Sequence, residues 1–292
     1  MGLSVRYHAV SMAAVFLALG VGVLIGVGFG DSVVSGAQRN LETSLQGDLD
    51  SARSERDDAR DELKAEQQFS SSVFPLLVEN RLRGERIGIV SLGPLPESVS
   101  DEITDTLEKA GGRLRSVVVL REPIDDGQVE RALRSPVDAG TTEELRAFGR
   151  RVGRELATGG AALQRLSQER SLFERTSGRT GELDAVVVAR SRSENLTEAE
   201  AERQDLVEKA VLEGIGERSV PSVGVETQDA DPSSIGVFQA QGLSTVDNIG
   251  TAAGKVALVF ALTGSEGDYG VGGKADRLLP ELLLGPDEDR ER

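Results

Sequence analysis

Residues 87–120 read IGIVSLGPLPESVSDEITDTLEKAGGRLRSVVVL. Ile87 to Leu92 is a short apolar run closed by a Gly-Pro-Leu-Pro turn, which reads as a strand. In the segment that follows, Val99, Ile103, Leu107 and Ala110 fall on one face of a helix, and Gly111-Gly112 stop it. Leu114 to Leu120 forms a second apolar strand. Strand, helix and strand over so short a stretch make a βαβ unit, which requires two parallel strands and a right-handed crossover. The fold class is therefore α/β, with a central, mostly parallel sheet.

Downstream the pattern continues. Ala185 to Ala189 reads as a third, buried strand, and a helix follows from Thr197 to about Ile215, where Glu200 completes a capping box with Thr197. A fourth strand is expected at Ser222 to Val225. Between them, Pro123 to Gly178 reads as two or three helices, including Glu143 to Leu156 and Ala161 to Phe173, as an insertion lying on the sheet. Ser234 to Gly250 is ambiguous, and Val256 to Leu262 fits a buried strand or a short helix, because a continuous apolar run does not separate the two. The domain spans 85–284, about 200 residues, enough for one sizeable core. The charged tail 285–292 is expected to be disordered.

Upstream, Ala9 to Gly30 carries no charge and, at about 1.5 Å of rise per residue, is long enough as a helix to cross a bilayer. A cleavable signal peptide is the competing reading. Against it stand the length of the apolar run, the lack of a closing A-x-A motif and the helical pattern that continues from it. Lipoprotein processing needs a Cys, and the chain has none. Arg6 and the free amino terminus precede the run while Asp31, Arg39, Glu42, Asp48 and Asp50 follow it, a small bias that places residues 1–8 in the cytoplasm and the domain outside. Tyr7 and His8 then sit at the inner interface. Ala14, Ala18, Gly22, Gly26 and Gly30 recur every fourth residue, a small-residue stripe that lets a second span approach closely. A homo-oligomer is the expected consequence.

Residues 31–74 read as a stalk. Leu45, Leu49, Ala52, Arg56, Ala59 and Leu63 step alternately by four and three, the seam of a short coiled coil. Arg56 and two alanines make it weak alone, and a solvated single-helix spacer is the alternative. Pro75 is expected to interrupt the helix, and Gly84 marks a turn.

The missing residue types limit the chemistry. There is no Cys, one His and two Met, and the His precedes the span. Ser-His-Asp, Cys-His and His-based zinc machinery are thereby excluded from the domain. Carboxylates are abundant, with Asp and Glu totalling 49, but no spacing singles out a pair. Ser91 to Leu95 follows the first strand where a phosphate loop would lie, yet lacks G-x-G-x-x-G, and Gly270 to Lys274 lacks the first Gly and the Ser/Thr of a P-loop. Both read as turns. No cofactor is expected, and a net charge of -16 disfavours nucleic acid as a partner.

The string Tyr7-His8-Ala9-Val10-Ser11-Met12-Ala13-Ala14-Val15-Phe16-Leu17-Ala18-Leu19-Gly20-Val21-Gly22 resembles the opening of the actinobacterial MctB copper transport family, whose members begin with a similar HAVS-x-AAVFLALAVG sequence. Ser244-Thr245-Val246-Asp247-Asn248-Ile249, the Gly254-Lys255-Val256 segment and Tyr269-Gly270 are similar to that family's later elements, in order. The resemblance makes a helix the better reading of Val256 to Leu262. It implies a role in copper homeostasis, copper as a partner, and an outer-membrane, channel-forming relative. The domain itself offers no Cys, His or Met, so a specific copper site there is not expected. With 3% aromatics and strands set between helices, a β-barrel is not expected either.

Two readings of different class follow. One is a membrane-anchored envelope protein of copper export or resistance, acting through other envelope proteins. The other is a structural module in which span and coiled coil dimerise and present an α/β binding domain. An enzyme working with carboxylates ranks behind both, and no catalytic or metal residue is assigned.

Overall fold

The computed structural model describes residues 3–124, 127, 141–159, 164, 172–179, 181–193 and 195–281. The chain divides into two compact units, Met1–Glu66 and Gln67–Arg292. The first is helical throughout its described length and belongs to helix α1, Leu3–Val78. Tyr7–Gly26 within it is the one helical stretch, among the described residues, long and apolar enough to cross a membrane.

α1 passes through Pro75, contrary to the expected break at the end of the stalk. A proline so close to a helix end removes only one ladder bond. Tertiary packing compensates, because Phe74 and Val78 on this last turn are buried in the core of the second unit.

The second unit is built on a seven-stranded sheet, ordered β3-β2-β1-β4-β5-β6-β7. Its strands are β1 (Arg86–Leu92), β2 (Arg113–Leu120), β3 (Phe173–Gly178), β4 (Ala185–Arg190), β5 (Ser222–Val225), β6 (Ser244–Val246) and β7 (Asp268–Tyr269). All neighbours pair in parallel except β2 and β3. The helices are α2 (Glu97–Lys109), α3 (Thr142–Thr158), α4 (Glu198–Gly216), α5 (Ile235–Gln239) and α6 (Ala252–Leu262).

The expected βαβ unit is present, with Ile89 of β1 opposite Val117 of β2. Both strands are buried from Ile87 and from Ser116 onward, and those stretches are mostly apolar because both faces are covered. Ile87, Ile89, Val117, Val119, Val187 and Val223 point into one layer, together with α2, α6 and the end of α1. Val90, Leu92, Val118, Leu120, Val186 and Val188 point into the other, under α3, α4 and α5.

The capping box forms as read: the Thr197 hydroxyl accepts from the Glu200 amide, and the Glu200 carboxylate accepts from the Thr197 amide at 2.8 Å. Glu143 to Leu156 lies inside α3, and Val256 to Leu262 is helical. The ambiguous stretch Ser234 to Gly250 contains α5 and β6.

The expected helix Ala161 to Phe173 falls mostly outside the described residues, and at its end Phe173 instead opens β3. That strand is an edge with only Phe173 buried, so its residues carry no apolar pattern to read. Backbone bonds to β2 hold it. The expected disordered tail 285–292 also lies outside the described residues.

Candidate functional site

Two kinds of site residue were expected from the sequence, and both lie on α1 in the first unit. Ala14, Ala18, Gly22 and Gly26 are exposed, with open space where a Cβ would stand at either glycine. Gly30 is helical, but its surroundings lie outside what is described. Along the seam Leu45, Leu49 and Leu63 are 61%, 50% and 53% exposed, and Ala52, Arg56 and Ala59 are exposed too. The Arg56 guanidinium donates to the adjacent Asp57 carboxylate at 2.7 Å. Among the described residues, both stripes are exposed within their own unit.

In the second unit the strand order changes direction between β1 and β4, and open α/β sheets bind ligands at the carboxyl ends of strands flanking such a point. A crevice of about 240 Å³ lies there, floored by Val99, Ala189 and Val225 and rimmed by Pro94, Arg192 and Glu226. Gly93, at φ 83°, starts the turn after β1. A Cβ on it would stand 2.2 Å from the Ser191 carbonyl oxygen, so only glycine lets the two rim loops meet.

Arg190 and Arg192, which line this crevice, belong to a cluster that sequence reading missed. Arg190, at the end of β4, donates through Nε to Glu208 at 2.7 Å and through Nη2 to Asp205 at 2.9 Å. Glu208 is 1% exposed and also accepts from the Gln204 amide at 2.9 Å. Arg192 pairs with the same Asp205. Burial pushes the Glu208 carboxyl above the ordinary glutamate range, while Arg190, Gln204 and Arg192 pull it back. A visible signal existed: Gln204 and Glu208 sit one turn apart on a helix whose neighbouring positions Val207, Val211 and Leu212 are buried. Glu226 is engaged as well, accepting from the Ser233 hydroxyl at 2.7 Å and the Ser234 amide at 2.6 Å.

A second feature gathers the distinctive residues near the carboxyl end. The Asp247 carboxylate, just after β6, accepts from the amides of Val271 at 3.0 Å and Gly272 at 2.7 Å. The Thr245 hydroxyl donates to Asp268 at 2.6 Å, and the Tyr269 hydroxyl donates to the Glu266 carbonyl at 3.1 Å. Thr251 caps α6 by accepting from the Gly254 amide. These residues latch β6, β7 and the loop 270–274 together, which makes that glycine-rich segment a turn and not a phosphate loop.

Chemically the crevice presents the Arg190 and Arg192 guanidinium groups, which are paired with Asp205 and Glu208 outside its lining, and the Glu226 carboxylate, which is bonded to Ser233 and Ser234, over an apolar floor. Among the described residues no three His, Asp or Glu side chains come together in a way that could hold a metal ion. The arrangement suits docking of a small polar group or a segment of another chain better than bond-breaking.

The profile of a family described as "Copper transport outer membrane protein, MctB" matches residues 3–280. The "Copper transporter MctB" of Mycobacterium tuberculosis (strain ATCC 25618 / H37Rv) and that of Mycobacterium bovis are each 31% identical over 140 residues. The match covers 47% of this chain and 44% of each relative, so it spans less than half the length of these proteins.

Proposed function

This chain belongs to the MctB copper transport family, and from that premise we propose that it is a membrane-anchored envelope protein contributing to copper export or resistance. The observation that carries the reading is the reach of the family match, which runs from the apolar helix through the Tyr269-Gly270 latch. In this reading the amino terminus is cytoplasmic, the uncut span is the anchor, and the α/β domain stands outside the cytoplasm. The domain works by meeting another envelope component and not by ligating the metal, since residues after Met12 include no Cys, His or Met. The crevice beside Arg192 and Glu226 is its docking point.

Deletion of the gene is expected to make the host more sensitive to copper, with tolerance restored by the intact chain. Unchanged tolerance in the deletion strain would refute the copper role and leave the structural module as the reading.

The bare stripes on α1 favour self-association as part of either role. Small residues let spans pack closely in lipid, and an apolar heptad seam is stable only against a partner. Gly22→Ile with Gly26→Ile is expected to reduce the cross-linked dimer of the detergent-solubilised chain by about tenfold, equivalent to about 1.4 kcal/mol. An unaltered dimer yield would show that the stripe does not mediate contact.

A further inference from the structure

We propose that His8 and Met12 together form a two-donor Cu(I) site on one face of α1, at the start of the apolar span; the inference rests on the copper role proposed above. The chain contains one His, two Met and no Cys, so soft donors are scarce. Two of the three stand four residues apart in the same helix, inside Tyr7–Gly26. That spacing puts both side chains on one face, one turn apart. Both are exposed, Met12 by 66%, so neither is used for packing within its own unit.

The geometry fits one particular kind of ion. Metal bonds of about 2.0 Å to imidazole and about 2.3 Å to sulfur allow donors up to about 4.3 Å apart across a linear two-coordinate centre, and Cβ atoms at this spacing lie about 5–6 Å apart. The flexible thioether closes the remaining distance easily. Thioether and imidazole are donors suited to copper, thioether selecting the monovalent ion. Zn²⁺ asks for four ligands and finds only these two, with no carboxylate between Ala9 and Gly30 to complete the set.

Charge favours the monovalent ion as well. The cost of bringing an ion toward hydrocarbon rises with the square of its charge, so a monocation pays about a quarter of what a dication would. A site at the edge of the span, made of one imidazole and one thioether, is therefore selective for Cu(I) without any cage.

The test titrates the full-length chain in detergent micelles with Cu(I), kept reduced by ascorbate, against a chromophoric Cu(I) chelator. Wild type is expected to retain one Cu(I) per chain and no Zn(II). His8→Gln and Met12→Leu are each expected to weaken retention at least tenfold, and the double variant to abolish it, with helix content unchanged by circular dichroism. Cu(I) retention by the double variant equal to wild type, or none by wild type, overturns the site. The copper tolerance of the deletion strain decides the broader role separately: a strain of unaltered tolerance refutes that role, while the titration still decides whether the site exists.

Discussion

Gly153→Val is expected to unfold the second unit under conditions where the wild type is folded, with a loss of about 4 kcal/mol or more out of the 5–15 kcal/mol that holds a typical domain. α3 and α4 cross at glycines on both helices. A Cβ at Gly153 would stand 2.0 Å from the Val211 carbonyl oxygen, and one at Gly214 would stand 2.1 Å from the Arg150 carbonyl oxygen. At Gly149 it would meet the Ala210 Cβ at 2.6 Å. The obstacles at Gly153 and Gly214 are backbone, which moves only if the helices part. Parting them opens the layer formed by Phe148, Val152, Leu156, Val207 and Val211. At about 2–4 °C per kcal/mol for a domain of this size, the thermal midpoint should fall by roughly 10 °C or more. Gly250→Ala is the matched control: nothing lies within 4 Å of the added Cβ, and a change within about 0.5 kcal/mol is expected. A Gly153→Val midpoint equal to wild type would show that the crossing is looser than these distances state.

Arg190→Met is expected to cost about 3–5 kcal/mol near neutral pH, because it leaves Glu208 charged and 1% exposed without its closest cation. The pH dependence identifies the cause. Burial raises the Glu208 carboxyl in the folded state, and Arg190 is the largest influence lowering it. A carboxyl raised on folding binds its proton more readily in the native state than in the unfolded one. The stability it contributes is thus complete below the unfolded glutamate range, near about 4.3, and is lost as pH rises through the raised native value. Removing Arg190 raises that value further, so the variant's deficit should be smaller at pH 5 than at pH 8. Arg190→Met with Glu208→Leu should recover most of the loss, as an apolar pair replaces an ionic one. Chemical unfolding of each variant at the two pH values measures both effects. A deficit independent of pH would assign the loss to packing of the arginine stem alone.

The βαβ unit was legible in the sequence because β1, α2 and β2 each carry an apolar pattern that comes from burial. The same holds for β4, β5 and the capped α4. The edge strand β3 was not legible, since its backbone pairs with β2 while its side chains face water. The three-residue β6 and two-residue β7 are too short to show a period. Pro75 misled for a different reason: local propensity predicts a break, whereas Phe74 and Val78 are held from outside the helix by the core.

In the candidate site, the crevice could be anticipated only from strand order, which no local window contains. Arg190 in its lining pairs with Asp205 and Glu208, residues brought together by the packing of α4 on the sheet. Asp247 and Tyr269-Gly270 stood out as motif residues, but their latching role needed the fold. The stripes on α1 were easy to read as patterns, and whether a second copy covers them is what the cross-linking experiment addresses.

Because Phe74, Val78 and Leu82 fill the same apolar layer as α2 and α6, the tether's last turn is masonry as well as leash. The Leu82 amide bonds the Ala110 carbonyl at 2.9 Å, and the Arg81 guanidinium lies 4.8 Å from the centre of the Phe260 ring. A protease that severed the chain between Val78 and Glu85 would not release an intact globule. It would pull bricks from the wall and leave a greasy trough open to water, so release and collapse become a single event.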